Sequence, residues 1–433
     1  VHVVGAGLAG CEAAAVLARA GIAVRLWEQK PRAYSPAHQL PGPAELVCSN
    51  SLKSEAEDSA HGLLKAELRA LGSLVLAAAE RARVPAGSAL AVDRRLFSAR
   101  VDEDLRALGA LELCFGEPLR EPPEGQVILA TGPLTEGGMA DWLRARLGPE
   151  PLYFYDALAP IVAADSLDRG RVFAGSRWGR GGQDDYLNCP LDEDAYRRFV
   201  RALVQAPRAP LHDFERVQHF EGCLPVEIMA ERGEDTLAFG PMRPVGLEVD
   251  GRRPFAVVQL RAENLERTAF NLVGFQTKLT QAAQREVFRL VPGLERAEFL
   301  RYGAVHRNLY VRAPEALDDA LRLRAEPRVR LAGQITGVEG YVESAAVGLL
   351  AGCMLAAELA SRPFVPPPPE TALGALVAHL RGRLGAPRFE PMNIHFGLLP
   401  RAPGRGKKDR QVHALRRARE AFAAWRAQLR FVT

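Results

Sequence analysis

Two of the six cysteines sit where a thiolate has a use. Cys48 lies in AELVCSNSLKSE, a polar loop crowded with hydroxyls and an amide, and Cys223 lies in FEGCLPVE, between Glu221 and Glu227. The thiolate is the nucleophilic form of cysteine, and polar, turn-like surroundings are where it is supported. The acids flanking Cys223 count against a thiolate there unless a base or cation offsets them. Cys189 sits in DDYLNCPL. Cys11, Cys114 and Cys353 fall in apolar or small-residue segments and are expected to behave as small buried hydrophobes. No C-x-x-C pair occurs, which argues against zinc and against a dithiol redox motif, so no metal is expected.

The elements that must position this chemistry begin at the N-terminus. VHVVGAGLAG runs a short strand into a glycine turn, with Gly5, Gly7 and Gly10 at the G-x-G-x-x-G spacing and Ala6, Leu8 and Ala9 between them. Gly5 serves the tight turn, Gly7 the close approach of a pyrophosphate, and Gly10 the packing of the following helix on the strand. Glu28 closes the next strand, AVRLWE, where a carboxylate takes the ribose hydroxyls of an adenosine. Two further segments narrow the ligand to FAD. VILATG ends a buried-strand run in a small-residue turn at Ala130, Thr131 and Gly132. LAGQITGVEGYVESAAVGLLAG carries Gly333, Gly337, Gly340 and Tyr341 into a small-residue helix. Both are similar to parts of two-dinucleotide-binding flavoproteins, in which the late helix turns its positive end toward the flavin.

The expected fold is therefore α/β, a Rossmann-like FAD-binding domain with an inserted α+β domain and a basic helical C-terminus. At 433 residues the chain has room for two or three domains. The FAD domain is expected over 1–150 and again over 305–362. The insert is expected over 151–304, where short strands and turns such as FAVVQL and NLVGFQT take over. A stiff linker, PFVPPPPE, opens the last part, 363–433. Gly62 to Ala79 reads as one helical stretch. No apolar run reaches the ~20 residues of a membrane span and no secretory signal is visible, so a cytoplasmic enzyme is expected.

Charge is unevenly placed. The chain carries a formal net charge of +4, yet residues 401–433 alone hold ten Lys or Arg against two acids. RAPGRGKKDR leads into a helix with Leu415, Ala418, Phe422, Trp425 and Leu429 on one stripe. A packed helix with a solvated basic face explains the helix. The basic stretch before it points to nucleic-acid phosphates, with Arg405, Lys407, Lys408 and Arg410 as the contacts.

Strings along nearly the whole chain, in order, carry a resemblance. GAGLAGCEAA, AELVCSNSLKSE, RVPAGSALAVDR, ILATGPLT, DYLNCP, FEGCLPVE, FGPMRPVGL, LVGFQT, YGAVHRNLY, AGQITGVEGYVESAA and the GKKDR tail resemble the folate- and FAD-dependent tRNA uridine 5-methyltransferase family. A larger sister family of flavoproteins that modify the tRNA wobble uridine shares the first and last FAD segments but is much longer. There are departures. EQKP stands where an EMRP-like string is expected, and Arg243 stands where Lys is common, which bears on an anion contact.

The resemblance implies transfer of a one-carbon unit from methylenetetrahydrofolate to C5 of a T-loop uridine in tRNA, with FAD re-reduced by NADH or NADPH. Uracil C5 becomes nucleophilic once a thiolate adds at C6; a base then removes the C5 proton, and hydride reduces the exocyclic methylene. Cys223 is expected as the nucleophile and Cys48 as the flavin-side partner or base, with the exchanged assignment open. Tyr341 and His306 are candidates to stack on folate; the plain alternatives are that Tyr341 packs beneath the turn and His306 is a core histidine. Arg307 and Asn308 are weaker candidates for the folate glutamate or the pyrimidine edge. The tRNA is expected to offer a flipped base from a loop. A small-molecule FAD oxidoreductase shares the FAD segments but gives no reason for the basic tail.

Overall fold

The computed structural model describes residues 1–147, 152–177, 182, 185–209, 224–383 and 389–429, without the side chains of residues 152, 154–156 and 307. Two sheets organise it. The first has six strands in the order Arg322–Leu323, Glu326–Leu331, Val127–Leu129, His2–Val4, Val24–Glu28 and Leu111–Phe115. All its neighbours run parallel except the edge strand Arg322–Leu323. The first strand of the chain lies inside the sheet, so the order reverses beside it. In open α/β sheets the crevice at the carboxyl ends of the strands beside such a reversal is where ligands bind. The chain leaves this sheet after Leu129 and returns at Arg322, and all six strands of the second sheet lie between.

Gly5 makes the first turn with φ +98°, a conformation that costs an L side chain dearly, and a Cβ there would lie 2.5 Å from the carbonyl oxygen of Ala130. The helix Leu8–Arg19 follows. It packs along the late helix, Tyr341–Leu359, which is long and apolar enough to cross a membrane but has 89% of its apolar window buried inside the protein. Small residues make this contact. A Cβ at Gly348 would collide with the backbone oxygen of Ala9, so the two helix backbones meet where side chains would otherwise separate them.

The second sheet is antiparallel, in the order Phe173–Ala174, Tyr186–Leu191, Ala256–Ala262, Ala269–Leu272, Ile161–Ala163 and Phe299–Arg301. Ala256–Ala262 is buried along its whole length. Phe199, Phe275 and Phe288 form an aromatic cluster under it, with centroids 5.9–6.5 Å apart. A ribbon of Leu152–Ala157 and Val305–Tyr310 joins the two bodies. A small sheet of Ser51–Ser54, Ala89–Val92 and Arg83–Val84 carries the loop that holds Cys48.

Three local expectations change. Gly62–Ala79 is two helices, Ala60–Ala70 and Leu74–Arg81, because Gly72 takes φ +75° and Ser73 caps the second. The C-terminal helix begins at Lys407, so Lys407, Lys408 and Arg410 lie in its first turn rather than ahead of it. Cys114 is half-buried on the edge strand Leu111–Phe115, whereas Cys11, Cys189 and Cys353 are buried.

Candidate active site

Most of the longer helices cap themselves: Ser59, Ser73, Asp93, Asp192, Thr280 and Thr371 each accept a first-turn N–H. The helices that start at Leu8 and Tyr341 have glycine N-caps, Gly7 and Gly340, and no side-chain cap. Their free N–H groups and positive dipole ends suit anionic or electron-rich ligand atoms. Nothing stands within 4 Å of a Cβ placed on Gly7, so the backbone is open to an approaching pyrophosphate. A Cβ on Gly10 would overlap the carbonyl oxygen of Gly5, which is the close helix–strand packing that its place in the motif requires.

Glu28 is buried beside the turn. One carboxylate oxygen accepts from Ala6 N–H at 2.9 Å and the other from Lys30 N–H at 3.0 Å, and each retains a lone pair for a ribose hydroxyl. Ala130 packs under the first turn, Thr131 accepts from the Thr135 hydroxyl at 2.7 Å, and Gly132 follows. Gly333 and Gly337 flank a short 3-10 turn, and Gly340 takes φ +114° at the late helix start. These residues fit FAD at both ends: a cradle a Cβ would fill at Gly7, a carboxylate at the second strand, and an uncapped helix at each glycine turn.

Between the two bodies lies a cavity of about 280 Å³. Cys48, Lys53, Asn271, His306, Tyr341 and Glu343 are among the residues that line it. The Cys48 loop is fixed from every side. The Tyr341 hydroxyl accepts from Cys48 N–H at 2.7 Å and Ser49 N–H at 3.2 Å. The Cys48 carbonyl accepts from Arg301 Nη2 at 3.0 Å and Arg94 Nη2 at 3.3 Å. Asn50 Nδ2 donates to Val92 and Ala262, and its Oδ1 accepts from Arg261 Nε at 2.8 Å. The Cys48 Sγ stays partly exposed, 3.9 Å from the Ala157 carbonyl oxygen.

Three guanidinium groups surround this loop, and one buried carboxylate, Glu263, pairs with Arg94 at 2.7 Å. Burial alone would depress Arg94, but Glu263, then Tyr341 and Cys48, outweigh it and hold its pKa up. Burial lowers Arg261 and Arg301; for Arg301 the neighbouring charge of Arg94 adds to it. Electropositive, partly exposed surroundings are where reactive cysteines are found.

Three buried polar atoms without a hydrogen-bond partner belong to cavity-lining residues: Glu343 Oε2, Asn271 Nδ2 and His306 Nε2. A buried unpaired polar atom is costly, so a ligand that supplies both donors and acceptors would complete the cavity. Glu343 is anchored by its other oxygen, which accepts from Ile394 N–H at 3.0 Å and lies 3.5 Å from His61 and 4.0 Å from Lys53. Burial would raise its pKa, but Lys53 and His61 more than offset that and hold the carboxyl below its ordinary value. Burial, then Arg301, lowers His306, which keeps the imidazole neutral at pH 7.

Of the residues singled out in the sequence, the cavity gathers Cys48, His306, Asn308, Gly340 and Tyr341. Tyr341 does more than offer a ring, since its hydroxyl holds the Cys48 backbone. Cys223 and the Arg307 side chain lie outside what is described. Arg405, Lys407, Lys408 and Arg410 are exposed at the start of the last helix, where Arg405 N–H donates to Asp409. Asn271 and Glu343 were missed. Their signal was a lone amide in the apolar run AFNLVGF and a lone acid in the apolar helix YVESAAVGLL. Among the described residues no group of three or more His, Cys, Asp or Glu side chains is placed to hold a metal ion.

The family model for glucose inhibited division protein A matches residues 1–363. A protein of Geobacter sulfurreducens named methylenetetrahydrofolate--tRNA-(uracil-5-)-methyltransferase TrmFO is 56% identical over 430 residues, 99% of each chain. One of the same name from Pelobacter propionicus is 55% identical over 427 residues, 98% of this chain and 94% of that one. In structure, Aquifex aeolicus GidA aligns with a TM-score of 0.68 at 17% identity, over 100% of this chain and 74% of that one, which shows a shared fold. Sequence identity at this level and coverage place the chain in the TrmFO family of methylenetetrahydrofolate--tRNA-(uracil-5-)-methyltransferases, within the wider glucose inhibited division protein A family.

Proposed function

We infer that this chain is a cytoplasmic enzyme that methylates C5 of a T-loop uridine in tRNA, taking the carbon from methylenetetrahydrofolate. FAD, re-reduced by NADH or NADPH, supplies when bound the electrons that bring the transferred carbon to the methyl level. The observation that carries this reading is the hydrogen bonding of Tyr341, in the late FAD turn, to the backbone of Cys48, which ties the cofactor crevice to a thiol in one cavity.

In this reading Cys48 works on the flavin side. Its loop is rigid, so the sulfur meets the substrate at a fixed place, and it moves the C5 proton. Cys223 adds its sulfur to uracil C6. Its chain neighbours support that role: Leu224 is buried, and Val226 N–H donates to the carbonyl of Gln276, a cavity-lining residue, at 2.7 Å. Asn271 Nδ2 donates to a carbonyl oxygen of a bound ring, Glu343 Oε2 accepts from a ring N–H or amino group, and His306 lies against a ring face with its Nε2 free to bond. Lys407, Lys408, Arg405 and Arg410 contact tRNA phosphates.

The test follows carbon from labelled methylenetetrahydrofolate into unmodified tRNA with FAD and NADPH, with S-adenosylmethionine as the competing donor. Label in 5-methyluridine that depends on folate and is lost in both Cys223→Ala and Cys48→Ala is expected. Label that survives Cys223→Ala keeps the reaction and moves the nucleophile to Cys48. No label from a protein that binds and reduces FAD refutes the reading.

A further inference from the structure

A row of residues crosses the antiparallel sheet. Tyr186, Arg261, Asn271, Ile161 and Arg301 lie opposite one another in turn across five adjacent strands. Directly opposed residues of an antiparallel sheet share a face. The next pair, Leu260 and Leu272, belongs to the other face and is buried in the sheet's own core. The pairing shifts between Phe299 and Arg301, and this bulge lets the edge strand serve both faces: Phe299 packs on Phe288, while Arg301 reaches the Cys48 carbonyl. Two members of the row, Arg261 and Asn271, line the cavity.

These two are 7% and 2% exposed. Arg261 Nε donates to Asn50 Oδ1 at 2.8 Å, and no acceptor among the described residues takes its Nη groups. Asn271 Nδ2 is buried without a partner. Glu263 is engaged by Arg94 at 2.7 Å. Burial lowers the Arg261 pKa, and Glu263, Tyr186 and Cys48 work against that, so the Cys48 thiol stands within the field of this guanidinium. After Asn271 the chain runs on through Val273, Gly274 and Gln276, which line the cavity too, and the Gln276 carbonyl accepts from Val226 N–H. The row is thus tied to the Cys48 loop and to the chain that follows Cys223. Donors held in a dry place without an acceptor suit negative charge on a ligand.

The reaction creates such charge. When a thiolate adds to uracil, the S–C6 bond forms, the C5=C6 π pair becomes a C4=C5 bond, and the C4=O4 π pair moves onto O4. The ring then carries one negative charge at O4, which is released when C5 takes up the carbon. We propose that Arg261 and Asn271 form an oxyanion site for O4 of the target uridine, with Arg261 Nη and Asn271 Nδ2 as its donors. Arg261 is then a catalytic residue. The proposal rests on the thiolate-addition reading above and holds whichever cysteine adds. Donors fixed in advance act most strongly where water is excluded, because nothing has to reorient as the charge forms. The sheet register and the bond to Asn50 supply that fixing. An RNA phosphate keeps its charge throughout and stays hydrated, and it fits a surface cation better than a buried guanidinium beside a neutral amide.

The experiment measures kcat, the KM for methylenetetrahydrofolate and hairpin affinity of the FAD-loaded enzyme on a T-arm hairpin RNA. Arg261→Met is expected to lower kcat about 100- to 1,000-fold with hairpin affinity, KM and FAD content unchanged, and Arg261→Lys to recover part of the loss. Asn271→Leu is expected to lower kcat about 10-fold while Tm holds or rises, since an unpaired buried donor is removed. The Asn271 amide nitrogen has no described bond to lose, so this effect cannot pass through the Cys48 loop. A second hairpin carries 5-fluorouridine at the target, and its covalent adduct with the protein is timed. Fluorine at C5 draws charge from the enolate, so the Arg261→Met deficit in adduct formation should shrink, which a merely structural role would not produce. Unchanged kcat in Arg261→Met, or an equal deficit on both RNAs, overturns the oxyanion site. Hairpin affinity that falls in step with kcat assigns the arginine to an RNA phosphate, and a raised KM at unchanged kcat assigns it to the folate carboxylate; either overturns the site. Wild-type protein that neither binds nor methylates the uridine hairpin overturns the functional reading and this site with it.

Discussion

The hydroxyl of Tyr341 has two backbone N–H groups to satisfy, on Cys48 and Ser49. Tyr341→Phe keeps the ring and strands both donors, at about 1–3 kcal/mol each when buried. The loop then relaxes away from the cavity. The expected result is a kcat lower by roughly 10- to 100-fold with FAD content intact, and unchanged kcat would refute a positioning role. Lys65 offers a second test at this scale. Burial drives its ammonium down to about 8, with Glu343 and Glu55 pulling the other way, while its Nζ donates to the Ser54 carbonyl at 2.8 Å. The folded pKa lies below that of the unfolded chain, about 10.4. Between those values the unfolded chain binds more protons, so this group adds stability as pH rises. The stability of wild type minus that of Lys65→Met should therefore climb from pH 8 to pH 10, measured by urea unfolding. A flat difference would show that Lys65 is not buried as a strained cation.

At the scale of elements, the glycine turn separates two jobs that the motif merges. Gly10 serves packing and Gly7 leaves open space beside the backbone. A Cβ on Gly10 overlaps a carbonyl, whereas one on Gly7 meets open space at an ordinary extended φ of −74°. Gly10→Ala should lower the stability of the apoprotein by about 3 kcal/mol. Gly7→Ala should leave apoprotein Tm unchanged and weaken FAD binding at least about 10-fold, the cost of a methyl group in the pyrophosphate's path. Equal loss of apoprotein stability in both variants would contradict this division. The pairing of Leu8–Arg19 with Tyr341–Leu359 has the same logic. Glycine and alanine let two helix backbones touch, and so the late helix, apolar enough for a membrane, is a core helix here.

At the scale of the molecule, the last helix both packs and presents charge. Its Trp425 Nε1 donates to the Val365 carbonyl at 2.9 Å, and Leu415, Ala418 and Phe422 are buried with it. Lys407, Lys408 and Arg410 sit in the first turn, where cations oppose the helix dipole. That placement costs stability, which a phosphate partner would offset. Replacing all three by Gln should reduce the salt slope of tRNA binding by roughly 2 to 3 while Tm holds or rises. An unchanged slope would mean that the tail does not touch RNA.

Much of this was legible in the sequence because it is local. A tight turn, a close backbone approach and an uncapped helix start are properties of neighbouring residues, so Gly5, Gly7, Gly10 and Gly340 announced both glycine turns and the parallel sheet behind them. The stripe of Leu415, Ala418, Phe422 and Trp425 announced the packed face of the last helix, though not its first residue, because Gly406 provides a start that lysines do not mark. The break at Gly72 was missed because the apolar pattern continues through it. The cavity itself could not be read from the chain. Tyr341 meets Cys48 across 293 residues, and Ala262 meets Asn50 across 212. Asn271 and Glu343 look like stray polar residues in apolar segments until both bodies close around them and leave one atom of each without a partner. Sequence by itself determined the glycine turns, since those depend on backbone reach over a few residues. Only the tertiary structure decided which thiol, amide and carboxylate face one another, since that depends on how two independently patterned sheets pack.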